Sequence, residues 1–179
     1  TMRFGIRTNT GDAEGEVLSK NSGFALTQNE VESALARFVG QIEQVPSMFS
    51  AIKHQGQPLY KLARAGVEIE RAARPVTVYH LALTAFRPGE FPEADVEARV
   101  SKGTYIRTLA EDVGNLIGCG AHISSLHRSQ AGPFNESACV SLEQLEARRG
   151  EGLADLLDQF LLPVEKAIDH LQAVTMPAA

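Results

Sequence analysis

The stretch 101–107, Ser101-Lys102-Gly103-Thr104-Tyr105-Ile106-Arg107, gathers two cations, a phenol ring and a glycine within a few residues of chain. Upstream, Val96, Ala98 and Val100 alternate with Asp95, Glu97 and Arg99, the period of a half-buried strand. Downstream, Ile106, Leu109, Val113, Leu116 and Ile117 recur at helical spacing. Gly103 takes positive φ without a Cβ clash and Thr104 is a good N-cap, so the stretch reads as strand, tight turn, helix start. Lys102 and Arg107 then flank a helix N-terminus that already carries about half a positive charge. Cations are unfavourable there unless an anion arrives, and a helix start is itself an anion site. With Tyr105 between them, the two cations suit a ligand that carries negative charge and a flat ring, a nucleotide for instance. The competing reading is local: Arg107 pairs with Glu111 one turn on, worth about 0.2–0.5 kcal/mol.

Other residues of catalytic type are less well placed. Asp12 lies in the turn-rich run Thr8-Asn9-Thr10-Gly11-Asp12-Ala13-Glu14-Gly15. A loop carboxylate is formally a nucleophile or base, but in such a run it caps its own turn, and that reading is preferred. His122, in Gly118-Cys119-Gly120-Ala121-His122, reads as a hydrogen-bonding residue of the turn rather than an acid or base. Two cysteines and five scattered histidines do not supply a four-ligand site, so no metal is expected at Cys119-x-x-His122. The absence of a CxxC pair fits a reducing cytoplasm. No apolar run reaches the roughly 18 residues of a membrane span, and no secretory signal opens the chain.

The elements that position these residues follow from periodicity. At 179 residues the chain is one domain or a little more. Met2 to Arg7 alternates as a strand, and 16–18 resumes one. Because Thr1 is not an initiator and a strand is already running, a larger protein cut at this point is expected. Thr27-Gln28-Asn29-Glu30 has capping-box spacing, and Val31, Ala34, Leu35, Phe38 and Val39 form one apolar stripe closed by Gly40. Residues 41–45 look extended, and a short helix is expected over 59–65 after Pro58 and before Gly66. A long strand over 76–86 turns at Pro88-Gly89 and returns antiparallel over 95–100. A strand over 123–128 places Leu126 in the core or on a pocket wall. A second capping box, Ser141-Leu142-Glu143-Gln144, starts a helix to about 149, and helical stripes follow over 153–160 and 164–171.

The net charge of −5 is unevenly spread. Residues 46–75 carry Lys53, Lys61, Arg64, Arg71 and Arg74 against Glu68 and Glu70, whereas 136–169 hold eight acids against Arg148, Arg149 and Lys166. A basic surface with the aromatic Tyr60 therefore survives in mid-chain, the composition of a loop that grips nucleic acid.

Taken together these residues resemble the bacterial tRNA pseudouridine synthases of the TruB family. The resemblance runs nearly end to end. It includes Arg7-Thr8-x-Thr10-x-Asp12-Ala13-x-Gly15 and Gly40-x-Ile42-x-Gln44-x-Pro46-Ser47-Met48-Phe49-Ser50-Ala51. It continues through Lys53-x-x-Gly56-x-x-Leu59-Tyr60, Ala63-Arg64-x-Gly66 and Arg74-Pro75-Val76-Thr77-Val78-Tyr79, and closes on 101–107 and 118–122. It implies isomerisation of uridine 55 in the tRNA T loop to pseudouridine, with an aspartate nucleophile and no metal or cofactor. The target base is flipped out of the loop. Tyr105 resembles the tyrosine packed on the flipped base, Arg107 the arginine paired with the nucleophile, and Leu126 the apolar residue against the base. Residues 46–75 resemble the thumb insertion along the T arm, so Lys53, Lys61 and Arg64, with Lys102 at the turn, are the expected RNA contacts.

The resemblance further implies an α+β fold, a mixed and mostly antiparallel sheet flanked by helices, as a partial catalytic domain over 1–179. The intact protein is expected to be a cytoplasmic monomer. The family's Gly-x-Leu-Asp-Pro-x-Ala-Thr-Gly block, which carries the nucleophile, does not occur in these residues, and the C-terminal PUA module is expected to be missing too. A tRNA-binding or RNA-chaperone module without chemistry is the alternative function. A guide-dependent synthase of the dyskerin type is a third reading, disfavoured by the 59–66 helix and the long basic insertion.

Overall fold

The computed structural model describes residues 1–148, 150, 152, 159–168 and 171. The chain divides into two compact units, Thr1–Leu126 and His127–Ala179. In the first unit the order is β1 (Met2–Phe4), β2 (Ile6–Thr8), β3 (Val17–Lys20), α1 (Gln28–Ala36), β4 (Gly40–Gln44), β5 (Lys53–His54), β6 (Gln57–Pro58), α2 (Leu59–Arg64), β7 (Arg74–Arg87), β8 (Glu93–Val100), α3 (Ile106–Ile117) and β9 (Ala121–Ile123). The main sheet runs β4-β7-β8-β1-β9, and β2–β3 and β5–β6 form two-stranded ribbons. Every pairing between these strands is antiparallel, and a parallel bridge joins Asp12 to Ile123. The α+β class and the mostly antiparallel sheet are as expected.

Helices α1 and α3 share one buried cluster with the sheet. Val31, Ala34 and Leu35 of α1 and Leu109, Ala110 and Val113 of α3 meet Met2, Phe4, Val78, Leu81 and Ala94. Phe4, Leu35 and Leu109 are almost wholly removed from water, each worth about 1.5–3 kcal/mol of transfer free energy. The capping box of α1 forms as its spacing predicts: Thr27 accepts from Glu30 N–H, and the Glu30 carboxylate takes Thr27 N–H.

Several boundaries differ from expectation, most of them set by what lies alongside. The strand expected over 2–7 breaks at Gly5, where φ is +84° and an added Cβ would lie 2.6 Å from the Asn21 carbonyl; β1 thus enters the main sheet while β2 pairs with β3. Helix α1 stops at Ala36, so Phe38 and Val39 lie beyond it and Gly40 opens β4. The strand over 123–128 is instead β9, ending at Ile123, because its pairing with β1 runs only from Ala121 to Ile123. Leu126 is therefore outside the core, 59% exposed. Helix α3 begins at Ile106 with Tyr105 as N-cap, one residue later than Thr104 would place it.

The second unit holds a small ribbon of β10 (Gln130–Ala131) and β11 (Phe134–Asn135), a 3₁₀ turn Glu136–Ala138, and α4 (Leu142–Ala147). The second capping box is present, Ser141 accepting from Gln144 N–H and Gln144 returning to Ser141 N–H. Most of the helix expected over 153–160, and residues 169 and 170 of that over 164–171, lie outside the described residues; Val164–Ala167 is a 3₁₀ turn.

Helix α3 crosses β9 so closely that Gly114 is without alternative: a Cβ there would sit 2.3 Å from Ala121 N and 2.5 Å from Gly120 C. Gly→Ala inside a helix ordinarily gains about 0.5–1 kcal/mol. Here the obstacle is backbone, and overpacking costs about 1–3 kcal/mol. Gly114→Ala is expected to destabilise the protein, read as a lower urea midpoint with an unchanged denaturant slope.

Candidate active site

The entry to α3 is built by continuing the sheet ladder past the end of β8. Ser101 N–H donates to the Thr77 carbonyl at 2.8 Å, and Thr77 N–H donates to Ser101 Oγ at 2.9 Å. Gly103 follows with φ +85°. The Thr104 hydroxyl is spent on the Ser101 carbonyl at 2.9 Å, which is why it does not cap the helix. Tyr105 takes the cap position with an extended backbone and no capping side chain of its own. Its backbone is met from another strand: Tyr105 N–H donates to Gln44 Oε1 at 3.0 Å, and Gln44 Nε2 donates to the Tyr105 carbonyl at 3.3 Å.

Arg107, one residue inside the helix, does not pair with Glu111. Its Nη1 donates to Asp12 Oδ2 at 2.8 Å and to the Thr10 carbonyl at 3.3 Å, while Nη2 donates to the Phe49 carbonyl at 3.0 Å. Both side chains of the ion pair are about a quarter exposed. The guanidinium thus reaches two loops far from it in sequence, and its Nε–H and second Nη2–H have no partner among the described residues. The approach depends on Gly11, where φ is +73° and a Cβ would lie 3.2 Å from Arg107 Cβ and from Glu111 Cδ.

Asp12 does cap its own turn, its Oδ1 accepting from the Thr10 hydroxyl at 2.6 Å and from Glu14 N–H at 3.2 Å. It also carries the countercharge for Arg107, which its local pattern did not reveal. Burial works against its charge, but the Thr10 hydroxyl, Arg107 through hydrogen bond and charge, and Glu14 N–H outweigh that and hold the carboxyl below its ordinary value. Glu111 moves the other way: burial and the neighbouring Asp112 raise it, against Arg7 and Arg107.

Of the residues singled out in the sequence, Tyr105 and Arg107 lie two positions apart at the α3 entry, both half-buried, with Lys102 exposed on the turn before them. Lys53 and Lys61 are exposed on the β5–β6 ribbon and on α2, and Arg64 lies over the Tyr60 ring at 5.6 Å. His122 is buried and holds the Ile6 carbonyl through Nδ1 at 3.0 Å, so Nδ1 carries the proton. Gln44 and Phe49 were not singled out as site residues; their block was legible, but which of its atoms face α3 was not.

The chain matches two adjoining family models: the N-terminal domain of TruB family pseudouridylate synthases over residues 1–106, and the C-terminal domain of tRNA pseudouridylate synthase B over 107–169. The chain belongs to the TruB family. It is 52% identical over 168 residues to the tRNA pseudouridine synthase B of Saccharophagus degradans, covering 94% of this chain and 54% of that protein. It is also 52% identical, over 169 residues, to that of Pseudomonas aeruginosa, with the same coverage. The chain therefore spans about half the length of these curated relatives. Among solved structures, a chain of a Cbf5-Nop10-Gar1 complex superposes with a TM-score of 0.63 at 26% identity, over 84% of this chain and 41% of that one. A chain of an H/ACA RNP bound to a substrate RNA containing 2′-deoxyuridine shares the fold at 20% identity, with a TM-score of 0.58, over 95% of this chain and 42% of that one. The two TruB models meet between Ile106 and Arg107, inside the first turn of α3, so the Tyr105–Arg107 pair straddles their junction.

Because Asp12 is depressed in the folded state, it stabilises the protein above the ordinary aspartate range and loses that contribution as pH falls through the folded value. Asp12→Asn is expected to cost about 1–2 kcal/mol near pH 7. In paired chemical denaturations, the gap to the parent should begin to narrow below about pH 4 and close only as pH falls through the lowered folded value.

Proposed function

We propose that this chain carries the base-gripping part of a tRNA pseudouridine synthase acting on uridine 55 of the T loop. The observation that supports it is the guanidinium of Arg107, two residues after Tyr105, held by Asp12, Thr10 and Phe49 with two N–H groups unengaged among the described residues. An incoming carboxylate would find an oriented cation there, and that cation would keep it ionised. The reaction breaks the uracil C–N glycosidic bond, turns the base and rejoins it through carbon, which balances as an isomerisation. Extruding the base costs a few kcal/mol, and a stacking wall of Tyr105 with Leu126 would offset part of it. Lys102, Lys53, Lys61 and Arg64 would neutralise phosphates along the T arm.

Asp12 is not assigned the nucleophile's role. Oδ1 accepts two hydrogen bonds within its own turn and Oδ2 holds Arg107, so the carboxylate is committed to organising the cation. The nucleophile is assigned to the family's Gly-x-Leu-Asp-Pro block, which these residues lack, and this chain alone is expected to give no turnover on unmodified tRNA. That same lack favours, for the chain by itself, a second reading as an RNA-binding module without chemistry.

The two readings part on one set of variants in the full-length protein. Arg107→Ala is expected to lower pseudouridine formation by about 10²-fold or more while the tRNA Kd holds within a few-fold. Lys61→Glu with Arg64→Glu should weaken tRNA binding, and the log–log salt slope should flatten by about 1 for each phosphate no longer neutralised. Parental turnover in Arg107→Ala, or turnover by this chain alone, contradicts the catalytic assignment.

A further inference from the structure

Gln44 closes β4 and is 2% exposed. A primary amide is found in such a place when its poles are engaged, since an unpaired buried donor or acceptor costs about 1–3 kcal/mol. Both poles are engaged here, and both by one residue: Oε1 takes Tyr105 N–H and Nε2 gives to the Tyr105 carbonyl. A single side chain thereby pairs with both backbone groups of Tyr105, as a neighbouring strand would.

The other capped helices show what this replaces. In α1 and α4 the third helical residue, Glu30 or Gln144, reaches back to the N–H of the cap residue, Thr27 or Ser141. In α3 the third helical residue is Thr108, whose side chain is too short to reach back, and its buried hydroxyl has no hydrogen-bond partner among the described residues. Gln44, sixty-one residues away in sequence, supplies one half of a capping box, the acceptor for the cap residue's N–H. It does so at the residue whose ring, with Arg107 two positions on, forms the candidate site. Neither Tyr105 nor Thr104 offers a competing side-chain cap; the Tyr105 carbonyl also accepts from Leu109 N–H at 3.0 Å, but among the described residues its N–H is held by Gln44 alone.

We propose that Gln44 is a positioning residue: it sets the Tyr105 backbone so that the phenol ring and the Arg107 guanidinium face the base together. The inference rests on the reading of Tyr105 and Arg107 as the base-gripping pair. Gln44 touches no reacting atom, so its loss should act on the rate rather than on tRNA affinity.

The test uses full-length protein and two variants. Gln44→Met keeps the volume and removes both poles. Gln44→Glu keeps the shape but satisfies both Tyr105 groups only when protonated, because an ionised carboxylate turns a second acceptor toward the carbonyl; burial raises such a carboxyl. Single-turnover pseudouridine formation on unmodified tRNA, the Kd for that tRNA and the thermal midpoint are measured for each. The expected result for Gln44→Met is a rate per folded molecule lower by about 10–100-fold, the scale of a small misplacement of catalytic groups, with Kd within about twofold. Gln44→Glu should regain rate relative to the parent as pH is lowered from about 8 to about 6. A Gln44→Met protein with the parental rate and only a lower midpoint overturns the inference, as does an equal loss of rate and affinity. Should Gln44→Met not fold, Gln44→Glu decides alone, and a pH profile of parental shape overturns the inference. A parent that forms no pseudouridine, or an Arg107→Ala protein with the parental rate, instead overturns the reading of the site, and this inference with it.

Discussion

A half-buried guanidinium at the wrong end of a helix dipole is the constraint on which the site turns. Removing an ion from water costs several kcal/mol unless it is paired and hydrogen-bonded, and the positive end of α3 adds to that cost for Arg107. The molecule meets it with a carboxylate and two carbonyls drawn from two separate loops, Asp12 and Thr10 from one and Phe49 from the other. Each partner is itself tied down. Asp12 is locked by Thr10 and Glu14, and the Phe49 loop is anchored where Leu59 N–H and Tyr60 N–H meet the Ile52 and Ser50 carbonyls. The cation is therefore oriented before any ligand arrives, which is how a site avoids reorganisation at the moment of reaction.

The sheet order explains how distant pieces reach one helix end. Because β4 lies beside β7 and β7 beside β8, the residue closing β4 and the turn leaving β8 come to the same corner. The ladder extends one step past β8 through Thr77 and Ser101, and Gln44 completes it at Tyr105. On the opposite flank β9 pairs with β1 and receives the parallel bridge from Asp12, setting the height of the Asp12 loop against α3. The core beneath, from Phe4 to Val113, makes this corner rigid rather than merely adjacent.

Strand order outlasts the side chains that fill it. At 26% identity a chain of the Cbf5-Nop10-Gar1 complex keeps the fold over most of this chain, so the arrangement of strands tolerates extensive replacement provided that volume and pattern are kept. What does not tolerate replacement is close approach: Gly114 against the β9 backbone leaves no room for a side chain, and Gly11, at positive φ, would crowd α3 with one. These glycines sit where α3 must be held to the sheet and to the Asp12 loop.

Periodicity was enough for the long elements, since a fourteen-residue strand such as β7 and the capped helices α1 and α4 announce themselves through local pattern and hydrogen bonds within a few residues. The strand–turn–helix around 101–107 was legible for the same reason, and so were the basic excursion and the family. Boundaries were not, because Gly5, Gly40 and the last residue of β9 are decided by which strand lies alongside. Nor was the partner of Arg107: a local rule points to Glu111, four residues on, whereas the structure brings Asp12 from ninety-five residues away. Asp12 looked like a turn cap and is one, but its second oxygen was free to serve a distant cation. The amino-acid sequence by itself determined which residues carry charge, ring and turn; only the tertiary structure decided which of them meet, because hydrogen bonds between segments depend on sheet order and register, and neither leaves a local trace.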